Sequence, residues 1–519
     1  MALTNLQQIS IRQETTEGSA VAFSSLFSAA LTKYLVIEPS LDFEVSSFER
    51  NIKRNSLTRL QSLTGTKRGT CRFTLEIAGD TTATAAPAFG LPLQACGFRQ
   101  ESLTRLTIGT ITGGPFLQGE IVTQATSGAK GMVVKTTYNG ETTLWVAQGN
   151  GLGYALGATT ITAFTITGSH TLTGGTSGAT CAEPSAVTGT LSGTGYSAPA
   201  GFAWFPWSYS LSSLTTNASG IVSTIAQGST FYGATSGAVG QYWSYDGAAS
   251  GTTAAATTLY YRRVSGTFAS SEAIYSQPAG AGTLLATLGA GAQAAQFQIP
   301  SVSIGMSKDG VQESIKAARG TCSFVGRIGE PMLINFEFQG GVNENSGAMA
   351  RDNGNVTGIT PTTQVPPVLL DADITFWKSG TALASGYGPC ITNLELNLAN
   401  EIGFRECMAD AAGIQETILQ ARNPTITLDP ELVTEGTWDF LEQMGDNVAS
   451  RARFVVGSAA QNQFSFNMPG VSWTTITTGD RNGVATRQLQ GTLHGGSQSG
   501  GSTAQDNELV IIYPTLATL

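Results

Sequence analysis

The sequence predicts a mainly β protein: two related β domains, each with one short helix, and a β-rich insertion that splits the first. Three observations predict it. Segments of period-two alternation bounded by glycine recur along the chain, the pattern of half-buried antiparallel strands. Helical spacing occurs only twice, and briefly. The order strand, loop, strand, helix, strand, hairpin, strand is written twice, and repetition of this kind is read before fold.

Among the strands, TCRFTLEIAG alternates Phe73, Leu75 and Ile77, and PMLINFEFQGG alternates Ile334, Phe336 and Phe338. The closing DNELVIIYP reads as a continuous apolar strand stopped by Pro514. TWDFLEQMG reads as a helix with Thr437 as N-cap, Trp438, Leu441 and Met444 on its apolar face, and Gly445 as its stop. PAFGLPLQACG places Phe89, Leu93 and Cys96 at helical spacing before Gly97, and Pro92 limits it to a turn or two.

These helices anchor the repeat. Residues 68–76 match 422–431 before them, and further upstream 45–52 match 392–402. Downstream, IPSVS (299–303) matches MPGVS (468–472), and each is followed by an Asp-Gly-Val type turn, Gly-Thr, and an apolar strand. The expected division is 1–105 and 296–345 for the two halves of the first domain, 106–295 for the insertion, 346–366 for a Gly/Asn/Pro-rich linker, and 367–519 for the second domain. The insertion carries TSGA at 126–129, 176–179 and 235–238, each a Ser-Gly turn after an extended segment. Its aromatics, among them Trp145, Trp204, Trp207, Tyr242 and Trp243, favour folded modules over a disordered linker.

Only 12% of residues are charged, against about 25% in ordinary soluble proteins. Such a chain suits burial against copies of itself or a fibre-like adhesin. The net charge of −9 argues against a general nucleic-acid binder. The first residues lack a signal peptide's basic start and apolar stretch, and no run of 18 apolar residues suggests a membrane span. Six scattered cysteines without a CxxC pair, and only His170 and His494, read as buried reduced thiols rather than a metal site.

Charge is segregated between the copies. From 50 to 72 stand Arg50, Lys53, Arg54, Arg59, Lys67, Arg68 and Arg72 with no acid. From 401 to 446 stand ten acids, among them Glu431, Glu435, Asp439 and Glu442, against Arg405 and Arg422. One reading makes the stretches solvated faces of little individual worth. The other makes the 51–67 loop an arm that meets the acidic surface of a stacked neighbour, with Arg50, Lys53, Arg54, Arg59, Lys67 and Arg68 facing Glu431, Glu435, Asp439 and Glu442; complementary patches of this kind fix register.

The second copy, from ITNLELNLANEIGFRE through ILQARNPTITLDPE, WDFLEQMG, FVVGSAAQNQFSFNMPGVSW and DNELVIIYP, resembles the tail tube proteins (major tail proteins) of siphophages, the long-tailed non-contractile bacteriophages. SIGMSKDGVQESIKAARGTCSFVGRIGEPMLINFEFQG resembles the closing half of such a domain, and LTGTKRGTCRFTLEIAGD with PAFGLPLQACGF resembles its opening half. The resemblance covers 1–105 and 296–519. It implies β-sandwich or half-barrel domains with a flanking helix, whose sheets join into one barrel around a lumen. A chain carrying two such domains is then expected to form trimeric, pseudo-hexameric rings stacked into a tube, with the insertion as an outward decoration module. The implied partners are other copies of the chain, a tape-measure protein, a tail terminator, distal tail or baseplate proteins, and double-stranded DNA in passage. The implied location is the virion tail, assembled in the host cytoplasm. The alternative is a receptor-binding or fibre-like surface protein. Weak glycan contact through Trp204 or Trp207 of the insertion is weighed against their burial in a core, which is the preferred reading.

No spacing singles out a general acid and base, and two histidines leave little for triad chemistry. GNGLGYALG lacks the strand–turn–helix setting of a dinucleotide loop. No catalytic residue, cofactor or metal is expected.

Overall fold

The computed structural model describes the chain except residues 1–6, 16–17, 28–32, 51, 53–59, 81–84, 138–139, 151, 155–160, 167, 169, 193–194, 208–210, 227, 246–251, 254–256, 290–293, 297–298, 345–349, 353–363, 371, 379–385, 409, 460, 496–506 and 515–519. Strands make up 54% and helices 5%. The chain opens with β1 (Gln7–Gln13) and a single turn of helix, α1 (Phe23–Leu26). A long hairpin follows, β2 (Ile37–Phe48) with β3 (Leu63–Glu76), then α2 (Gly90–Ala95) and β4 (Phe98–Thr107). The alternation in β3 buries Cys71, Phe73 and Leu75 on one face, as the period of two requires. Pro92 is tolerated in α2 because it sits in the first turn, where its missing N–H would have had no partner.

The insertion holds two small barrels. In the first, β4 pairs with Thr143–Ala147, which pairs with Lys130–Val133; this pairs with Ile121–Gln124, then Leu172–Gly174, then Thr180–Cys181. A bridge from Thr180 to Thr112, just beyond β4, closes the circle. The second runs Leu211–Ile221, Leu284–Leu288, Ala273–Tyr275, Thr230–Gly233, Val239–Tyr245 and Thr258–Ser265, which pairs back with the first of these. Closure removes the sheet edges that otherwise invite pairing. Between the barrels lies β5 (Gly201–Pro206), buried along its length.

Every TSGA has one geometry. The serine hydroxyl accepts from the alanine N–H two residues on, at 3.2, 3.1 and 3.1 Å. The glycines have φ of +71°, +68° and +64°, where a side chain would be strained, and the alanines are fully buried. Two of the turns are held by a buried carboxylate. Glu120 accepts from the N–H groups of Thr176 and Ser177, and Glu272 from those of Thr235 and Ser236. Each acid lies four residues after a buried phenylalanine, Phe116 or Phe268. Glu120 precedes its turn in the chain whereas Glu272 follows its own, so the barrels share a plan that the chain enters at different strands.

Burial pushes the Glu272 carboxyl up, but the hydrogen bonds from Ser236, Ala269 and Thr235 outweigh it and hold the group below its ordinary value. A carboxylate lowered in the folded state adds stability above its unfolded pKa and loses it as pH falls through the folded one. Glu272→Gln is expected to destabilise the second barrel by about 1–3 kcal/mol at neutral pH and to flatten its acid unfolding below the usual carboxylate range. Amide hydrogen exchange in residues 230–245 as a function of pH reads both effects.

After the insertion come β6 (Val302–Lys308), β7 (Val311–Arg327), β8 (Leu333–Val342) and the short β9 (Ala350–Asp352), which falls inside the expected linker and pairs with β7. The second copy comprises β10 (Asp373–Lys378), β11 (Asn393–Asn397), a hairpin of β12 (Asn400–Glu406) and β13 (Ile414–Arg422), then β14 (Thr425–Leu428), α3 (Phe440–Gly445), β15 (Ser450–Val456), β16 (Phe464–Arg481), β17 (Val484–His494) and β18 (Val510–Tyr513).

Two six-stranded antiparallel sheets result. The first is ordered β1–β6–β7–β8–β3–β2, and the second β10–β15–β16–β17–β14–β11. We call these assemblies unit 1 and unit 2. Strand order, chain order and helix position agree, so the chain is internally duplicated. The matching differs by one strand from the sequence reading. The counterpart of β7 is β16 and that of β8 is β17, so IPSVS, leading into β6, does not correspond to MPGVS within β16. Nor is β18 the counterpart of β8; like β9, it is a short extra strand on the long central one.

Two helix details also differ from expectation. Asp439, not Thr437, caps α3, accepting from Leu441 and Glu442 N–H. Phe440 and Gln443 face inward while Leu441 and Met444 are 44% and 37% exposed; Trp438, the third residue of the expected face, is buried but lies before the cap and outside the helix. The helix ends on Gly445, but the left-handed residue beyond it is Asn447. Four cysteines are buried as expected. Cys390 is exposed and Cys407 half-buried, since both stand in irregular segments outside the strands.

A shared core joins the units. Phe73, Phe336 and Phe338 stack in unit 1, Phe440 meets Phe376 and Trp473 in unit 2, and Phe324 meets Phe466 edge-on at 5.3 Å between them. Tyr242, Trp145, Trp204 and Trp207 of the insertion are buried.

Candidate assembly interface

The two units meet along strands. Beyond β6, the edge of β7 from Ser323 to Arg327 is taken by β11, Asn397 to Asn393, in antiparallel register. A further path ties the insertion's root to unit 2: β4 pairs with β5, β5 with β18, and β18 with β16. Hydrogen-bonded sheet passes directly from one unit to the other through β7 and β11.

Over this junction lies the β12–β13 hairpin, folded sideways across unit 1. Asn400 donates to the carbonyls of Cys96 and Gly320 at 2.7 and 2.9 Å. The Thr417 hydroxyl donates to Ala317 O, and the guanidinium of Arg319 donates to Thr417 O and to Ile299 O. Burial pulls that guanidinium down to about 10, with Glu416 and Glu14 opposing. Lys316 pairs with Asp410, and Arg68 with Glu406 at 2.9 Å while resting on the Phe404 ring. The Arg68 pair is substantially exposed on both sides, so it sets register more than it adds stability.

The residues expected at an inter-ring contact are dispersed. Lys53, Arg54 and Arg59 lie outside the described residues, and Arg50 is exposed. Lys67 pairs with Glu344, and Arg68 with the acidic hairpin of its own chain. Glu431 pairs with Arg481, Asp439 caps α3, Glu442 pairs with Lys378, and Glu435 is exposed. The basic and acidic stretches thus already touch within one chain, at Arg68 and Glu406. Lys316, Arg319, Asn400 and Thr417 were not among the expected contact residues; the available signal was a Lys and an Arg flanking the apolar Ala317-Ala318 pair.

Two edges remain. Among the described residues, β2 pairs only with β3, and β16 beyond Val471 pairs only with β17. The free stretch of β16 is the counterpart of the β7 edge that β11 occupies, and β2 is the counterpart of β11. The β2–β3 hairpin also exposes Val45, Phe48, Ile52 and Leu63 by 41–69%, more apolar surface than a solvated hairpin retains without a partner.

No protein-family model matches the chain, and no curated protein matches it. The geometry therefore carries the functional reading.

Proposed function

We propose that the chain is a structural virion protein, not an enzyme, that assembles into stacked rings forming the hollow tail tube of a long-tailed bacteriophage, through which the genome passes. The observation that carries this reading is the pair of complementary open edges. The chain already joins two like sheets side by side through β7 and β11, and among the described residues it ends that row with an unpaired β16 edge on one side and an unpaired β2 edge on the other. A head-to-tail contact that repeats the internal one closes into a ring if the rotation allows, and closure removes both edges. Two units per chain favour a ring of three chains with six similar sectors. Tape-measure, terminator and distal tail proteins are the partners this reading implies.

Purified full-length protein, concentrated and viewed in negative stain, is expected to form hollow polymers of stacked rings. Discrete compact trimers without a lumen would favour the fibre-like alternative, and a persistent monomer would remove both.

A further inference from the structure

We propose that the second barrel of the insertion carries a binding strip for a neutral oligosaccharide, centred on Tyr232 and Tyr275. The first barrel is the internal control. Matched on their braced turns, 176–179 with Glu120 and 235–238 with Glu272, the two barrels place corresponding strands side by side. The row facing outward across four neighbouring strands is Thr180, Thr173, Thr123 and Lys130 in the first barrel, each directly opposite the next. In the second it is Val239, Tyr232, Tyr275 and Leu284. The inward neighbours are alike: Leu172 and Val122 of one correspond to Phe231 and Ile274 of the other, and all four are fully buried. The shared plan therefore asks for apolar residues inside and is satisfied by a hydrophilic row outside. Packing of the barrel does not account for the two tyrosines.

The shape and chemistry of the row select its ligand. Val239, Tyr232 and Tyr275 are half-buried and Leu284 is exposed, so the row faces solvent, and the 278–281 turn stands beside the Tyr275 ring. At a strand spacing of about 4.8 Å the row is about 14 Å long. It is one side chain wide: Thr230 and Gln241, paired across their strands, flank it together with Gln277, and none of these residues is charged. A protein partner would need about 800 Å² on each side, far more than this strip offers. An extended peptide cannot join by its backbone, because the strands bearing the tyrosines are already paired on both sides and strand addition needs an open edge. A linear sugar fits both limits. The C–H faces of its rings lie on the apolar faces of the tyrosines, and its hydroxyls reach the hydroxyl and amide groups of Thr230, Gln241 and Gln277. Trp204 and Trp207, the aromatics that the sequence offered for such contact, are buried.

The test uses the full chain and an array of short neutral oligosaccharides of gluco, galacto and manno configuration, with and without N-acetyl groups. Wild-type protein is expected to bind at least one member. Tyr232→Thr with Tyr275→Thr copies the row of the first barrel and is expected to weaken that binding by about tenfold or more, with the thermal midpoint unchanged. Thr123→Ala with Thr173→Ala is expected to leave it as it was. Leu284→Lys, which copies Lys130 at the end of the row, is the check should the threonine pair disturb the barrel, and the same direction of loss is expected. Binding to no member of the array would overturn the proposal, as would variants of the row that bind like the wild type. A tyrosine variant that changes the sedimentation of the protein while its sugar binding stays intact would also overturn it, and would make the strip a contact between copies. The proposal does not rest on the tube reading, since sugar binding is measured whether or not the chain polymerises.

Discussion

Glu14→Ala is expected to destabilise the protein by about 3–5 kcal/mol, the scale for stripping several buried donors of one shared acceptor. Glu14 follows β1 and is 6% exposed. Its carboxylate accepts from the hydroxyls of Ser301 and Ser303 at 2.7 and 2.8 Å and from the N–H groups of Ala317 and Gly18 at 2.7 and 3.0 Å. Ala317 has a φ of +53° within the irregular stretch of β7, so its N–H turns away from the strand ladder and depends on this acceptor. Alanine leaves four donors without it in a buried setting, each costing about 1–3 kcal/mol if nothing replaces the bond, less whatever relaxation recovers. Glu14→Gln keeps an acceptor oxygen and is expected to lose roughly half as much. Urea unfolding followed by tryptophan fluorescence measures both. The junction should suffer with the fold, because Arg319, two residues beyond Ala317, holds the crossing hairpin.

Trp204→Ala is the second large effect, also about 3–5 kcal/mol from lost transfer energy and the cavity left behind. Trp204 is fully buried on β5, packs on Phe89 with ring centroids 5.4 Å apart, and donates from its indole N–H to Gln100 at 3.1 Å. β5 stitches β4 to β18, so the insertion's root belongs to the core that unites the units. Trp204→Phe, which keeps most of the apolar volume and gives up the hydrogen bond, is expected to recover more than half the loss. If Trp204→Ala instead left the midpoint within about 0.5 kcal/mol, the scale of an inert surface change, the insertion would be an appendage and not part of that core.

Much of this architecture is legible in the sequence because it depends on period. Phe73, Leu75 and Ile77, or Ile334, Phe336 and Phe338, alternate as strands must, and each set is buried as expected. The duplication is legible as an order of elements, yet its register slipped by one strand, since short hairpins with Asp-Gly turns resemble one another and only pairing distinguishes β7 from β6. The face of α3 was misread because Trp438, Leu441 and Met444 have helical spacing, whereas Trp438 lies ahead of the cap at Asp439 and outside the helix, whose buried residues are Phe440 and Gln443. The repeated TSGA showed turns but not their carboxylate braces, which come from 57 or 36 residues away. Lys316 with Asp410 and Arg319 with Thr417 lay beyond reach for the same reason: each partnership spans roughly a hundred residues and exists only after the units dock.

The central claim is that one chain supplies two equivalent sectors of a closed ring. End-on views of the assembled full-length protein by electron cryomicroscopy, averaged without imposed symmetry, test it most directly. The account predicts an open lumen surrounded by six similar sheet sectors with true threefold symmetry, alternate sectors being joined through the insertion's root. A ring of six chains, or a threefold particle with no lumen, would contradict it.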